Sequence, residues 1–251
     1  MTLTRVAAAV ALAGLVLAQS GLQAAQITVL CSNGIKAVME ELVPEFERAT
    51  KHDVNITYGL AAALKRQIDG GERFDLAILT PALIDDLIKT GQVAANTRAV
   101  IARAPIGFMV RAGAQKPDVR TTEAVRRTLT ASQSIAYARE GSSGVYFAGL
   151  LDKLGMTEGL KPKLRPMGSG EETSAAVAKG EAQLGVLPIS EILPVPGVEL
   201  LGPFPKDVQG YAVMVAGVGS SAAQSAVARE LIAFLMAPAR NAVITKKGME
   251  R

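Results

Sequence analysis

The chain has 251 residues, of which 27 are Lys or Arg and 23 are Asp or Glu, and its formal net charge is +4 at pH 7. It contains no Trp, four Tyr and six Phe, so it lacks the aromatic platforms of proteins that bind single-stranded nucleic acid. We therefore expect no nucleic-acid partner. The mild excess of positive charge suits a small anionic ligand.

Cysteine and histidine occur once each, as Cys31 and His52. An internal disulfide bond is therefore impossible, and a zinc site built from His and Cys is excluded, as is a Ser-His-Asp triad without His52. Phosphate-binding and dinucleotide-binding glycine motifs do not occur, so we predict neither a cofactor nor a metal. Cys31 ends an apolar run, which predicts a buried thiol. His52 lies in a turn before a predicted strand, which predicts a surface position.

The start of the chain has the layout of a secretory signal peptide. Residues 1–5 form a short basic segment, residues 6–18 an apolar run, and residues 19–26 a tail of small residues that includes Ala24 and Ala25. The apolar run is shorter than the ~20 residues of a membrane-spanning helix. We therefore predict a signal peptide over residues 1–24, cleavage after Ala24 or Ala25, and export to the periplasm. We also expect the protein to be a monomer.

Short β-rich runs then alternate with helical patterns. The predicted strands cover residues 27–30, 54–58, 76–79, 106–110, 134–137, 164–167, 183–187 and 211–215. The predicted helices cover residues 34–50, 61–69, 81–90, 123–130, 143–154, 171–179 and 222–236. Such alternation is typical of an α/β protein with mostly parallel sheets flanked by helices.

Two segments interrupt the alternation. Residues 96–113 contain no long helix, and residues 193–205 are rich in Pro and Gly. Because these breaks flank about 90 residues, they predict a second lobe inserted into the first. Lobe 1 would contain residues 25–104 and 204–251, lobe 2 would contain residues 105–203, and a ligand cleft would lie between them.

Several predicted helices begin at small or hydroxyl-bearing turns directly after a strand. A helix N-terminus offers free backbone N–H groups and the positive end of the helix dipole, to which Ser and Thr hydroxyls add donors. In an open parallel sheet these turns lie at the carboxyl ends of the strands, where ligands bind. The candidate ligand-binding residues in these turns are Ser32, Asn33, Ala61, Ala62, Thr80, Ser142, Ser143, Gly144 and Ser169.

Four segments carry a family resemblance: residues 27–33 (ITVLCSN), 61–68 (AAALKRQI), 74–79 (FDLAIL) and 177–186 (VAKGEAQLGV). With them the chain resembles the periplasmic molybdate-binding proteins, which are type II solute-binding proteins of ABC importers. The resemblance implies two α/β lobes that close on an oxyanion, and an ABC permease in the inner membrane as partner. It also implies ligand contacts from Ser32, from the position of Ala61 or Ala62, and from residues 142–144.

The chain departs from this family at two ligand positions. Ala61 and Ala62 stand where the family has a second Ser, and Leu187 and Pro188 stand where it has a Tyr. The turn before the second-lobe serines carries Arg139, whose guanidinium can bind a carboxylate through two parallel hydrogen bonds. These changes favour an organic di- or tricarboxylate over a molybdate-like oxyanion as the ligand.

A catalytic alternative comes from the bacterial aconitate isomerases, exported enzymes that resemble these binding proteins. They interconvert the cis and trans forms of a tricarboxylate. An allylic proton shift needs an acid or base and cationic clamps for the carboxylates, but no cofactor. The candidate groups are Tyr58, Lys65, Arg66, Arg139, Glu140, Tyr146, Glu171 and Glu172, and the sequence singles out no base among them.

Overall fold

The computed structural model describes residues 24–251. The apolar segment of the predicted signal peptide lies outside the described residues, so the predicted cleavage stays a prediction. Within residues 24–251, no helix is both long enough and apolar enough to cross a membrane.

The described residues form strands and helices in alternation. The strands are β1 (Gln26–Ser32), β2 (Asp53–Gly59), β3 (Leu76–Leu79), β4 (Ala99–Arg111), β5 (Ile135–Ala138), β6 (Leu164–Met167), β7 (Leu184–Pro188), β8 (Val198–Pro203) and β9 (Tyr211–Val218). The helices are α1 (Lys36–Thr50), α2 (Ala61–Asp69), α3 (Pro81–Lys89), α4 (Thr122–Ala131), α5 (Ser142–Lys153), α6 (Thr157–Leu160), α7 (Gly170–Ala178), α8 (Ile189–Ile192), α9 (Ser225–Met236) and α10 (Asn241–Lys246).

The strands are joined in the order β2-β1-β3-β9-β4-β7-β5-β6, and β8 also pairs with β4. β1, β2 and β3 are parallel to one another, as are β5, β6 and β7. The first part of β4, through Pro105, pairs with β9, whereas the part from Ile106 onward pairs with β7 and β8. The chain therefore forms two mostly parallel α/β lobes, as the sequence predicts, and β4 runs through both.

Each lobe has its own apolar core. In lobe 1, α1 lays Val38, Met39, Leu42 and Phe46 against the sheet, and all four are fully buried. Their spacing follows one face of a helix, and each such side chain contributes roughly 1.5–3 kcal/mol by leaving water. In lobe 2, a separate cluster packs around Phe108 and Phe147, and Phe204, which follows the predicted boundary at 203/204, belongs to the same cluster. Packing in the two cores fixes the positions of the strand ends that face the cleft.

The predicted strands and longer helices agree well with the structure, whereas the short helices α6, α8 and α10 were not predicted. Two strands differ from the prediction. β4 begins at Ala99, earlier than predicted, and β8 was not predicted as a strand. The segment around β8 contains several Pro and Gly residues, which are rare inside strands. The predicted division at 104/105 and 203/204 lies where β4 changes partners and just after β8, and as a division into domains it stays a prediction.

The structure confirms one expectation for the singly occurring side chains and corrects the other. Cys31 is fully buried, and burial raises the pKa of its thiol. The surface position expected for His52 is wrong, because only 7% of the residue is exposed. Its Nδ1 accepts a hydrogen bond of 3.1 Å from the backbone N–H of Ala25, and its Nε2 lies 3.6 Å from Glu230.

Candidate functional site

A small cavity of about 20 Å³ lies between the lobes, and we call it the inner chamber. That volume admits one or two water-sized groups. It lies at the carboxyl ends of parallel strands, where the starts of α2 and α5 meet. Its lining residues are Ser32, Asn33, Leu60, Ala61 and Thr80 from lobe 1, and Ala138, Gly141, Ser142, Ser143, Leu187 and Glu191 from lobe 2.

The inner chamber is lined with hydrogen-bond donors. Ser32 and Thr80 precede helices, yet their hydroxyls make no capping hydrogen bond. The helices α2 and α5 begin without a side-chain cap, so their first-turn N–H groups are free to bind an anion. Ser32 is 7% exposed and Ser143 1% exposed. Buried donors of this kind favour an acceptor-rich ligand, because an unpaired buried donor costs about 1–3 kcal/mol.

The first turn of α5 lies very close to the end of β5. A Cβ atom added at Gly144 would collide with the backbone carbonyl of Ala138 and lie 3.1 Å from the ring of Tyr137. Glycine is therefore required at this position for the helix to begin where it does. Gly144 does not line the chamber, but it positions the N-terminal turn that contains Ser142 and Ser143.

A second cavity of about 220 Å³ adjoins the inner chamber, and we call it the outer chamber. Asn33 and Glu191 line both cavities. Lys36 is the only cationic residue in its described lining, and its Nζ lies 4.0 Å from Glu171 Oε1. The other lining residues are Ala37, Glu40, Gly170, Ser174, Ser190, Pro194 and Val195. A ligand longer than one carboxylate could occupy both chambers.

Glu191, in the short helix α8, is partly buried where the two chambers meet. A Cβ atom added at Gly34 would lie 3.7 Å from Oε1 of Glu191, and a Cβ atom added at Gly170 would collide with Oε2 of Glu191. Burial, and secondarily the negative charge of Glu171, raise the pKa of Glu191 to about 7. Glu191 was not among the site residues predicted from the sequence, although its place just after the buried strand β7 is a signal for a ligand-facing position.

Besides the Lys36–Glu171 pair, two further polar contacts join the lobes beside the chambers. The hydroxyl of Ser190 donates a buried hydrogen bond of 2.7 Å to the carbonyl of Gly34. Arg66 of α2 lies 3.3 Å from Glu140 of the turn before α5, and both side chains are more than half exposed. An exposed ion pair of this kind contributes at most about 1 kcal/mol. The buried hydrogen bond is therefore the stronger of these two contacts between the lobes.

Six of the ten candidate site residues line the inner chamber and four do not. Ser32, Asn33, Ala61, Thr80, Ser142 and Ser143 line it, whereas Ala62, Arg139, Gly144 and Ser169 line neither chamber. Arg139 is exposed, and its backbone N–H donates to the carbonyl of Met167 at 3.0 Å. The structure therefore offers no geometric support for Arg139 as a carboxylate clamp.

Ser169 and several candidate acid or base groups have structural partners. The Ser169 hydroxyl accepts from the N–H of Glu172, whose carboxylate accepts from the N–H of Gly168, so the pair caps α7. Lys65 lies 2.7 Å from both Asp69 and Asp86, and these hydrogen bonds raise its pKa. The Tyr146 hydroxyl donates to the carbonyl of Val208 at 2.6 Å.

Among residues 24–251 there is no group of three or more His, Cys, Asp or Glu side chains that could hold a metal ion. The donor set of the inner chamber consists of hydroxyls, an amide and backbone N–H groups. Such donors bind anions.

Two α/β lobes with a donor-lined cleft at the strand ends define the chain as a two-lobed binding protein of the periplasmic type II class. The family model for bacterial extracellular solute-binding proteins matches residues 27–250, and the chain belongs to that family. This confirms the resemblance to molybdate-binding-like proteins and the fold inferred from it.

Individual relatives differ in what they are named for. The chain is 32% identical over 250 residues to the aconitate isomerase of Pseudomonas sp., with 96% of this chain and 95% of the relative covered. It is 28% identical over 172 residues to the molybdate-binding protein ModA of Azotobacter vinelandii, with 68% and 67% covered. The solved periplasmic molybdate-binding protein of Azotobacter vinelandii superposes with a TM-score of 0.76 at 20% identity, covering 90% of this chain and 99% of that chain.

Proposed function

We propose that the chain is a periplasmic binding protein that closes on a small organic di- or tricarboxylate and presents it to an ABC permease. The observation that carries this proposal is the convergence of unpaired donors from both lobes, Ser32 and Thr80 on one side and Ser142 and Ser143 on the other. Donors on opposite lobes stabilise the closed state only when an acceptor-rich ligand lies between them.

The preference for a polycarboxylate has a steric and a chemical basis. The inner chamber suits one carboxylate group, and the outer chamber gives room for the rest of a larger molecule beside Lys36. A tetrahedral oxyanion would need many short donors, but Ala61 and Leu187 contribute no side-chain donor.

The test is calorimetric titration of residues 25–251 with cis-aconitate. We expect Ser32→Ala and Ser143→Ala each to weaken binding by about 1–3 kcal/mol, because each removes a buried donor to a charged group. Both variants should keep the wild-type unfolding temperature within a few degrees, since neither hydroxyl makes a hydrogen bond within its own lobe.

The matched control is Ser169→Ala. It removes a helix cap outside both chambers, so it should lower stability by about 1 kcal/mol and leave affinity unchanged. Wild-type affinity in both Ser32→Ala and Ser143→Ala would show that the ligand binds elsewhere.

A second candidate function is aconitate isomerisation, which the 32% identity to an aconitate isomerase over nearly the whole chain specifically favours. The reaction transfers a proton along a three-carbon unit and requires no cofactor. A carrier and an isomerase would share the binding contacts described above, and they differ in whether a group in the cleft can exchange a proton with the bound ligand.

A further inference from the structure

Glu191 and Asn33 line both chambers, and of these two side chains only Glu191 can ionise. Among residues 24–251 its carboxyl group has no hydrogen-bond or ion-pair partner, in contrast to Glu140, which pairs with Arg66. A ligand that extends from the inner into the outer chamber must pass this carboxyl group. Its position suits contact with the middle of the ligand rather than with its ends.

The charged groups around Glu191 come from two helices. α7 contributes Glu171, and α1 contributes Lys36 and Glu40. Lys36 lies 4.0 Å from Glu171 and over the ring of Tyr58, so it is directed toward these partners and not toward Glu191. Burial and the negative charge of Glu171 raise the pKa of Glu191 to about 7. A carboxyl group whose pKa lies near the pH of the solution can both take up and return a proton.

We infer that Glu191 is the acid/base group of an allylic proton shift on a tricarboxylate bound across both chambers. This inference rests on the isomerase as the function of the same cleft. Glu191 takes a proton from the methylene carbon of aconitate, and the electron pair of the broken C–H bond moves into conjugation with the double bond. Glu191, whose carboxyl proton can exchange with solvent at this stage, then delivers a proton to the far alkene carbon, where a new C–H bond forms.

The step is balanced without any oxidant or other reactant. One C–H bond breaks and one forms, the double bond moves by one position, and Glu191 is regenerated as the carboxylate. The conformation of the methylene arm when its proton is removed sets the geometry of the new double bond, so the shift can convert the cis into the trans isomer. The negative charge that develops on the ligand carboxylates is stabilised by the donors of the inner chamber, including Ser143.

The test compares wild-type protein with Glu191→Gln and Glu191→Asp in D2O. NMR follows the conversion of cis- to trans-aconitate and the entry of deuterium at the methylene carbon. We expect Glu191→Gln to slow both processes by about 10²–10⁴-fold while binding aconitate within about threefold of wild type. Glu191→Asp should retain part of the rate, and the wild-type rate should rise with pH through about 7.

The matched control is Glu172→Gln, which makes the same chemical change at the cap of α7, where Gln also functions. It should leave the isomerisation rate unchanged. An undiminished rate in Glu191→Gln would overturn the inference. If Glu191→Gln does not fold, the inference would be overturned by two results together: an isomerisation rate of Glu191→Asp equal to that of wild type, and a wild-type rate that does not change with pH.

The wild-type protein distinguishes a failure of the isomerase function from a failure of the role assigned to Glu191. Wild-type protein that binds aconitate but shows neither conversion nor deuterium exchange would refute the isomerase and the role of Glu191 together, and would leave the binding protein standing. Wild-type protein that does not bind aconitate would refute the polycarboxylate ligand itself, and with it both functions proposed for the cleft.

Discussion

Gly144→Ala is expected to lower the free energy of unfolding by about 1–3 kcal/mol and to weaken anion binding at least about tenfold. The added Cβ would collide with the carbonyl of Ala138, which belongs to the backbone and cannot rotate away. The first turn of α5 must therefore move, and the donors of Ser142 and Ser143 move with it. Urea denaturation measures the first effect and calorimetric titration the second.

The matched control is Gly149→Ala in the same helix. An added Cβ at Gly149 has no atom within 4 Å, so the substitution should stabilise the protein by about 0.5–1 kcal/mol through helix propensity alone. Its anion affinity should be unchanged. If Gly144→Ala behaved like Gly149→Ala in both measurements, the close approach of α5 to β5 would not be needed for either stability or binding.

Glu191→Gln is expected to make stability less dependent on pH. The pKa of Glu191 is raised from 4.5 to about 7 in the folded protein, so between these pH values the folded state holds a proton that the unfolded state has released. Wild-type stability is therefore highest, as far as this group is concerned, below pH 4.5 and decreases as the pH rises to 7. The shift corresponds to about 3 kcal/mol at most.

Urea denaturation of both proteins at pH 5 and pH 8 measures this effect as a difference. The stability of Glu191→Gln relative to wild type should increase between the two pH values, because glutamine cannot ionise. All other titrating groups are common to both proteins and cancel. Parallel pH dependences would mean that Glu191 ionises freely in the folded state, and its carboxyl would then be well solvated.

Much of the inner chamber could be predicted from the sequence because its features are local. A strand followed by a hydroxyl-bearing helix start is visible within a few residues, and this pattern located Ser32, Thr80, Ser142 and Ser143. Arg139 shows the limit of the same approach. Ala138 lines the chamber as the last residue of β5, but Arg139 lies in the turn that follows and is exposed.

Glu191 and Gly144 could not be assigned from the sequence because their roles depend on distant residues. The surroundings of Glu191 are formed by Gly34 and Gly170, which approach it only after both lobes have folded. The four-residue helix that carries it lies between Pro188 and Pro194, so the segment has the composition of a loop. The requirement for glycine at position 144 follows from the backbone of β5, and a sequence pattern does not show such proximity.

The most direct test of the central claim is a competition crystal structure of residues 25–251 grown with equal concentrations of cis-aconitate and molybdate. We predict an organic ligand across both chambers, with one carboxylate within about 2.7–3.2 Å of Ser32 and Ser143, and no anomalous signal from molybdenum in the cleft. A strong molybdenum peak in the inner chamber would contradict the polycarboxylate proposal and would make the protein a molybdate-binding protein.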